Sequence, residues 1–172
     1  MKASWRRGLG PGFLPVLALA AIIWLPLAAA AQQPARVWNL EAAEATADGR
    51  VRLSYGAPET DDTIVRFSCA PAHGVLNVFI PHTGRRMTRG AKATARLAAG
   101  GIRLSFAGKI LANDESLDES FSGSAPLNPA RFQALARGTR LNVTVGRGPA
   151  QTTPLIGADE KFRRFARLCA KP

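Results

Sequence analysis

Histidine, cysteine and acidic residues are all scarce in this 172-residue chain, and each scarcity removes a class of chemistry. His73 and His82 are the only histidines, each beside a glycine or proline turn, and nothing in the sequence brings them together. A zinc site takes about three protein ligands, so no metal is expected, and no cofactor either. There is no Gly-x-Ser-x-Gly elbow, and FSGSAP (residues 121–126) has no base or acid placed to activate a serine. Phosphate-cradling glycine motifs are also missing, since Gly146-Arg147-Gly148-Pro149 reads as a turn. The two cysteines, Cys69 and Cys169, form no Cys-x-x-Cys pair.

Among what is present, the first 31 residues stand apart. Arg6 and Arg7 precede an uncharged apolar run, FLPVLALAAIIWLPLAAAA (residues 13–31), that ends in small residues. This order is that of a secretory signal peptide, with Ala29 and Ala31 at the cleavage positions. The alternative is an uncleaved anchor, because the run approaches the roughly 18 apolar residues that span a bilayer. Whether export is general-secretory or twin-arginine stays open. Residues 32–172 then form a single β-rich domain, long enough for one core. Losing Lys2, Arg6 and Arg7 leaves 20 basic residues against 12 acidic ones, a net charge of +8. A basic exported protein meets anionic partners, or uses its charge only to stay dispersed. In that setting an even pair of cysteines reads as one structural disulfide, Cys69–Cys169.

Most of the remaining chain alternates apolar and polar residues with a period of two. Val51, Leu53 and Tyr55 alternate with Arg52 and Ser54, and Val65, Phe67 and Cys69 with Arg66 and Ser68. Ile102, Leu104 and Phe106 alternate with Arg103 and Ser105, and Leu141, Val143 and Val145 with Asn142 and Thr144. Strands are also expected at 75–80, more weakly at 91–98, and around Trp38. This pattern belongs to half-buried strands of an antiparallel sheet, with turns at Asp48-Gly49, Pro71–Gly74 and Gly100-Gly101. Residues 81–91, 112–120 and 146–157 read as irregular.

Two helices interrupt the strands. In LNPARFQALARG, Asn128 caps, Pro129 takes the first helical position and Gly138 ends the helix. The second runs from about Ala158 to Cys169, with Phe162, Phe165, Ala166 and Cys169 on one face. Asp159 and Glu160 sit at its positive end and Arg163, Arg164 and Arg167 nearer its negative end.

Glu59, Asp61 and Asp62 in GAPETDD suggest acid/base or metal chemistry beside Cys69. They lie between two strands, however, where glycine, proline and aspartate serve a tight connection. Neither this stretch nor NDESLDES (113–120) has the spacing of a calcium loop. Both read as solvated acidic loops.

The order of a signal peptide, Trp38, LSYGAPETDD, FSCAP and a final helix with two phenylalanines and Cys169 resembles small exported alphaproteobacterial proteins of unassigned function. More distantly, it is similar to the invasion-associated locus B proteins. The resemblance implies a periplasmic β-rich domain and carries over no catalytic residues.

The sequence therefore predicts a mostly β protein: one antiparallel β-sandwich or barrel-like domain with two short helices, the C-terminal one tethered by the disulfide. The leading function is a non-enzymatic periplasmic binding or envelope-interaction module for an anionic ligand. The partner is an anionic envelope component or another periplasmic protein. Nucleic acid is not expected, nor a transmembrane segment after signal cleavage. The alternatives are an inhibitor of an envelope-attacking enzyme and a small hydrolase whose site is scattered in sequence. Candidate anion-binding residues are Arg52, Arg66, Arg96, Arg103 and Arg140, all on the polar side of predicted strands. Arg85, Arg86 and Arg89, in the loop of residues 81–91 that precedes the later of these strands, are expected to extend the edge of that face.

Overall fold

Nine strands hydrogen-bond into one antiparallel sheet that curls into a half-barrel around two helices. The structure is a computed structural model that describes residues 35–60, 62–84, 86–112 and 119–170. The signal-peptide reading of residues 1–31, Asp61, Arg85 and residues 113–118 lie outside the described residues.

The strands are β1 (Val37–Glu41), β2 (Val51–Gly56), β3 (Thr63–Cys69), β4 (Val75–Ile80), β5 (Lys92–Ala99), β6 (Ile102–Ala112), β7 (Glu119–Pro126), β8 (Arg140–Val145) and β9 (Gln151–Pro154). The helices are α1 (Pro129–Leu135) and α2 (Asp159–Ala170). Their order across the sheet is β1-β2-β3-β4-β7-β6-β5-β8-β9.

Alternation makes the two faces chemically distinct. Leu53, Val65, Phe67, Val78, Phe121, Ile110, Leu97 and Val143 are all fully buried beneath the helices, and the alternate residues face outward. On that inner face Phe132 of α1 stacks on Phe162 of α2 at 5.0 Å, and both meet Phe67 edge-on. Trp38 joins the cluster at 4.9 Å from the Phe162 ring. Removing a buried phenylalanine from such a cluster costs about 3–5 kcal/mol.

Curling brings the two sheet edges together. Trp38 of β1 donates its indole N–H to the Pro154 carbonyl of β9 at 2.8 Å, and Lys161 of α2 donates to the Trp38 carbonyl. One tryptophan thus closes the seam while its ring fills the interior. Among the described residues no helix is long and apolar enough to cross a membrane.

β9 lies in a stretch whose sequence reads as irregular, and β7 begins in one and runs on through FSGSAP, where no strand is expected. Glu119–Pro126 carries serine and glycine where a strand signal needs branched or aromatic residues, yet it pairs on both sides, with β4 and β6. Gly108 and Gly123 stand opposite each other there, and a Cβ on either would strike backbone or the Phe121 ring. The close pairing of β6 and β7 therefore requires both glycines.

Cys69 at the end of β3 is bonded to Cys169 in the last turn of α2, with Cα atoms 5.8 Å apart and the two residues 100 positions apart in sequence. Closing a loop of that length adds about 4–5 kcal/mol in the chain-entropy treatment. Reduction, or the Cys69→Ser/Cys169→Ser variant, should lower the denaturation free energy by that order, and amides of α2 should gain exchange before those of β3. An unchanged denaturation midpoint would show that the bond carries no stability.

Candidate functional site

The outward-facing arginines fall into two groups, and their neighbours decide which is available. Arg52 and Arg66 lie on β2 and β3 and pair with acids or rings. Arg52 bonds Asp48 at 2.9 Å and approaches Glu41 at 3.9 Å, while Arg66 lies 6.0 Å from the centre of the Phe79 ring. Desolvation tends to raise the Asp48 carboxyl, but hydrogen bonds from Arg52 and the Arg50 N–H outweigh it and hold the group below the ordinary carboxylate value. The cleft beside these residues, about 410 Å³, contains Glu41 and Glu59 as well as Arg52 and Arg66. It is internally compensated. Asp62 is taken by Arg36 through two hydrogen bonds of 3.0 and 3.1 Å, and the Arg36 guanidinium is raised by that bond. Glu59 and Asp62 thus belong to a folded-back connection, as the sequence suggested. Among the described residues no three His, Cys, Asp or Glu side chains gather to hold a metal ion.

The second group is Arg96, Arg103 and Arg140, on β5, β6 and β8. Arg96 pairs in register with Ser105 and Thr144, and Ala98 with Arg103 and Asn142, so all three arginines share the outer face. They are separated from Arg52 and Arg66 by β4 and β7, whose outer residues are Asn77, Phe79, Ser122 and Ser124. Arg96 donates to the Gly146 carbonyl at 3.1 Å. Arg86 and Arg89 are exposed in the β4–β5 connection. Gly90 there donates to the Ile110 carbonyl, which places Arg89 at the end of β6 remote from Arg103. They do not extend the Arg103 region.

What Arg103 and Arg140 do share is a groove. About 850 Å³ in volume, it is lined by Arg103, Arg131, Arg140, Thr139, Asn142 and the Gly100-Gly101 turn, with no carboxylate in its lining. Arg131 comes from α1 and is the residue that alternation could not find. Its backbone N–H is held by the Asn128 side chain at 3.0 Å, and its Nη2 donates to the Arg103 carbonyl at 2.9 Å. The helix cap therefore aims this guanidinium at β6. Among the described residues, Arg103, Arg131 and Arg140 have no ion-pair partner.

Two glycines form the groove's closest contact. Gly100 and Gly101 have φ of 55° and 80°, the two positive values a two-residue hairpin uses. A Cβ at Gly138 would lie 2.7 Å from the Gly100 nitrogen, so the β5–β6 turn and the α1–β8 turn touch backbone to backbone.

No family model, no curated protein and no solved structure matches the chain.

Gly138→Ala should force the two turns apart, costing about 1–3 kcal/mol as overpacking does and moving the resonances of Gly100, Gly101 and Thr139. A variant as stable as the parent, with those resonances in place, would show that the contact does not shape the groove.

Proposed function

We propose that this chain is an exported, non-enzymatic binding module of the bacterial envelope, and that its ligand presents several negative charges to the Arg103–Arg131–Arg140 groove. The observation that carries this reading is the convergence of three guanidiniums on one open groove without a carboxylate. Guanidinium forks match phosphate and carboxylate oxygens two at a time. The positive balance of the chain steers such ligands towards it. The resemblance in layout to the invasion-associated locus B proteins points to the periplasm, as does a single disulfide.

Neither alternative finds equal support. A hydrolase needs a nucleophile and a base in reach of each other, whereas the groove offers arginines, a threonine and an asparagine. An inhibitor of a basic envelope-attacking enzyme would be repelled by this chain's charge.

The test compares two variants of equal net charge. Arg103→Gln/Arg131→Gln/Arg140→Gln should lose about tenfold or more in binding to anionic phospholipid vesicles, lipopolysaccharide or immobilised polyglutamate. Arg52→Gln/Arg86→Gln/Arg89→Gln should bind like the parent, and parent binding should weaken as salt rises. Equal losses in the two variants would mean that net charge alone is at work and would overturn the groove.

A further inference from the structure

Beside the groove, β6 has an open edge with a definite hydrogen-bonding polarity. Ile110 exchanges bonds with Gly90 and Ala91, which continue β5, at 2.8 and 3.0 Å. Even-numbered residues of β6 therefore turn their N–H and C=O towards β5, and odd-numbered ones towards β7. The Arg103 carbonyl, which accepts from Arg131, obeys this alternation. Pairing of β6 with β7 stops at Ala107 opposite Ser124. The next odd residue, Ser105, would stand opposite Pro126, and a proline has no N–H to give its carbonyl. β7 ends there and the chain leaves for α1. The Ser105 carbonyl and the Arg103 N–H thus face a gap, with no protein partner among the described residues.

That gap is a cavity of about 470 Å³. Half-buried Leu104 and Ala125 and exposed Pro126 give it an apolar wall, with Leu76, Phe106 and Phe132 buried behind them, and it shares Arg103 and Arg131 with the larger groove. Three features are thus continuous: an unpaired strand edge, an apolar pocket and a carboxylate-free cluster of guanidiniums. A phosphate on a lipid would use only the last.

We propose that the β6 edge takes an extended acidic segment of a partner protein as an added strand, deepening the anion-binding reading and resting on it. Arg103 and Ser105 are two residues apart, about 7 Å along a strand, the repeat at which an extended peptide presents groups of one orientation. A peptide N–H reaches the Ser105 carbonyl and a peptide C=O accepts from the Arg103 N–H, the mode of strand addition at exposed edges. Alternate side chains then divide the work. Apolar ones enter the pocket against Leu104 and Ala125, and acidic ones meet Arg131, Arg103 and Arg140. Charge complementarity selects this occupant over a second copy of the chain, which is itself basic.

The probe is an end-blocked, fluorescein-labelled peptide of alternating glutamate and leucine or valine, seven residues long, titrated against the full protein. Anisotropy should report saturable binding that falls by about tenfold or more in Arg103→Gln/Arg131→Gln. The same peptide N-methylated at alternate backbone nitrogens has unchanged charge and should also fall by about tenfold in one methylation register. This comparison leaves the protein untouched, so misfolding of a variant cannot imitate the result. On binding, the Arg103 amide should gain protection from hydrogen exchange. If both methylation registers bind like the parent peptide, or the Arg103 amide stays unprotected at saturation, the edge is not used and this proposal falls while the anion-binding groove stands. Peptide binding indifferent to the arginine variant overturns the strand addition. If vesicle, lipopolysaccharide and polyglutamate binding are indifferent as well, the groove falls with it.

Discussion

Pro126 imposes a constraint on which both the core and the candidate site depend. Lacking an N–H, it cannot continue the ladder to β6. The next residue still donates to Gly74, beyond the start of β4, at 2.8 Å, so the chain keeps its β4 side while it parts from β6. Asn128 and Pro129 then start α1 within three residues, with the cap made by the Asn128 side chain. The short helix does two things at once. Its inner side drives Phe132 and Leu135 into the interior, and its outer side holds Arg131 against the β6 edge that Pro126 left open. Stability and binding surface thus share one turn.

The interior then follows from the curl of the sheet. A nine-stranded open sheet has two edges to manage, and here they are drawn together by Trp38 donating to Pro154. Phe132, Phe162 and Phe165 occupy the space enclosed, and the Cys69–Cys169 bond fixes α2 over β3. With the apolar residues consumed inside, the outer face is left to arginine, serine, threonine and asparagine. Whether an arginine there is available depends on its neighbours. Arg52 is held by Asp48 and Glu41, whereas no carboxylate lines the groove that Arg103 and Arg140 share.

Much of this was legible in the sequence. Strict alternation marks β2, β3, β6 and β8, because each has one buried face. Asn128, Pro129 and the Phe162/Phe165/Cys169 stripe mark the helices, and an even cysteine count, taken with the expected signal peptide, marks the disulfide. β7 was hidden because its neighbours on both sides dictate its conformation, while its serines and glycines suggest a loop. β9 is four residues long, too short for a period to register. The groove was legible only in part. Alternation identifies Arg103 and Arg140, but Arg131 reaches them from a helix, and only its place three residues after the Asn128 cap hints at a fixed direction. The paired state of Arg52 had a nearer signal, since Asp48 lies four residues before it across the Asp48-Gly49 turn.

Backbone hydrogen exchange in the free protein tests the open edge most directly, because it reads single amides without any ligand. The Leu104 N–H is bonded within the β5–β6 ladder and the Arg103 N–H faces the gap. Arg103 should therefore exchange faster than Leu104 by orders of magnitude, although the two are adjacent in one strand. If Arg103 is protected as strongly as Leu104, the β6 edge is already covered, and the account of Pro126 as the residue that opens it is wrong.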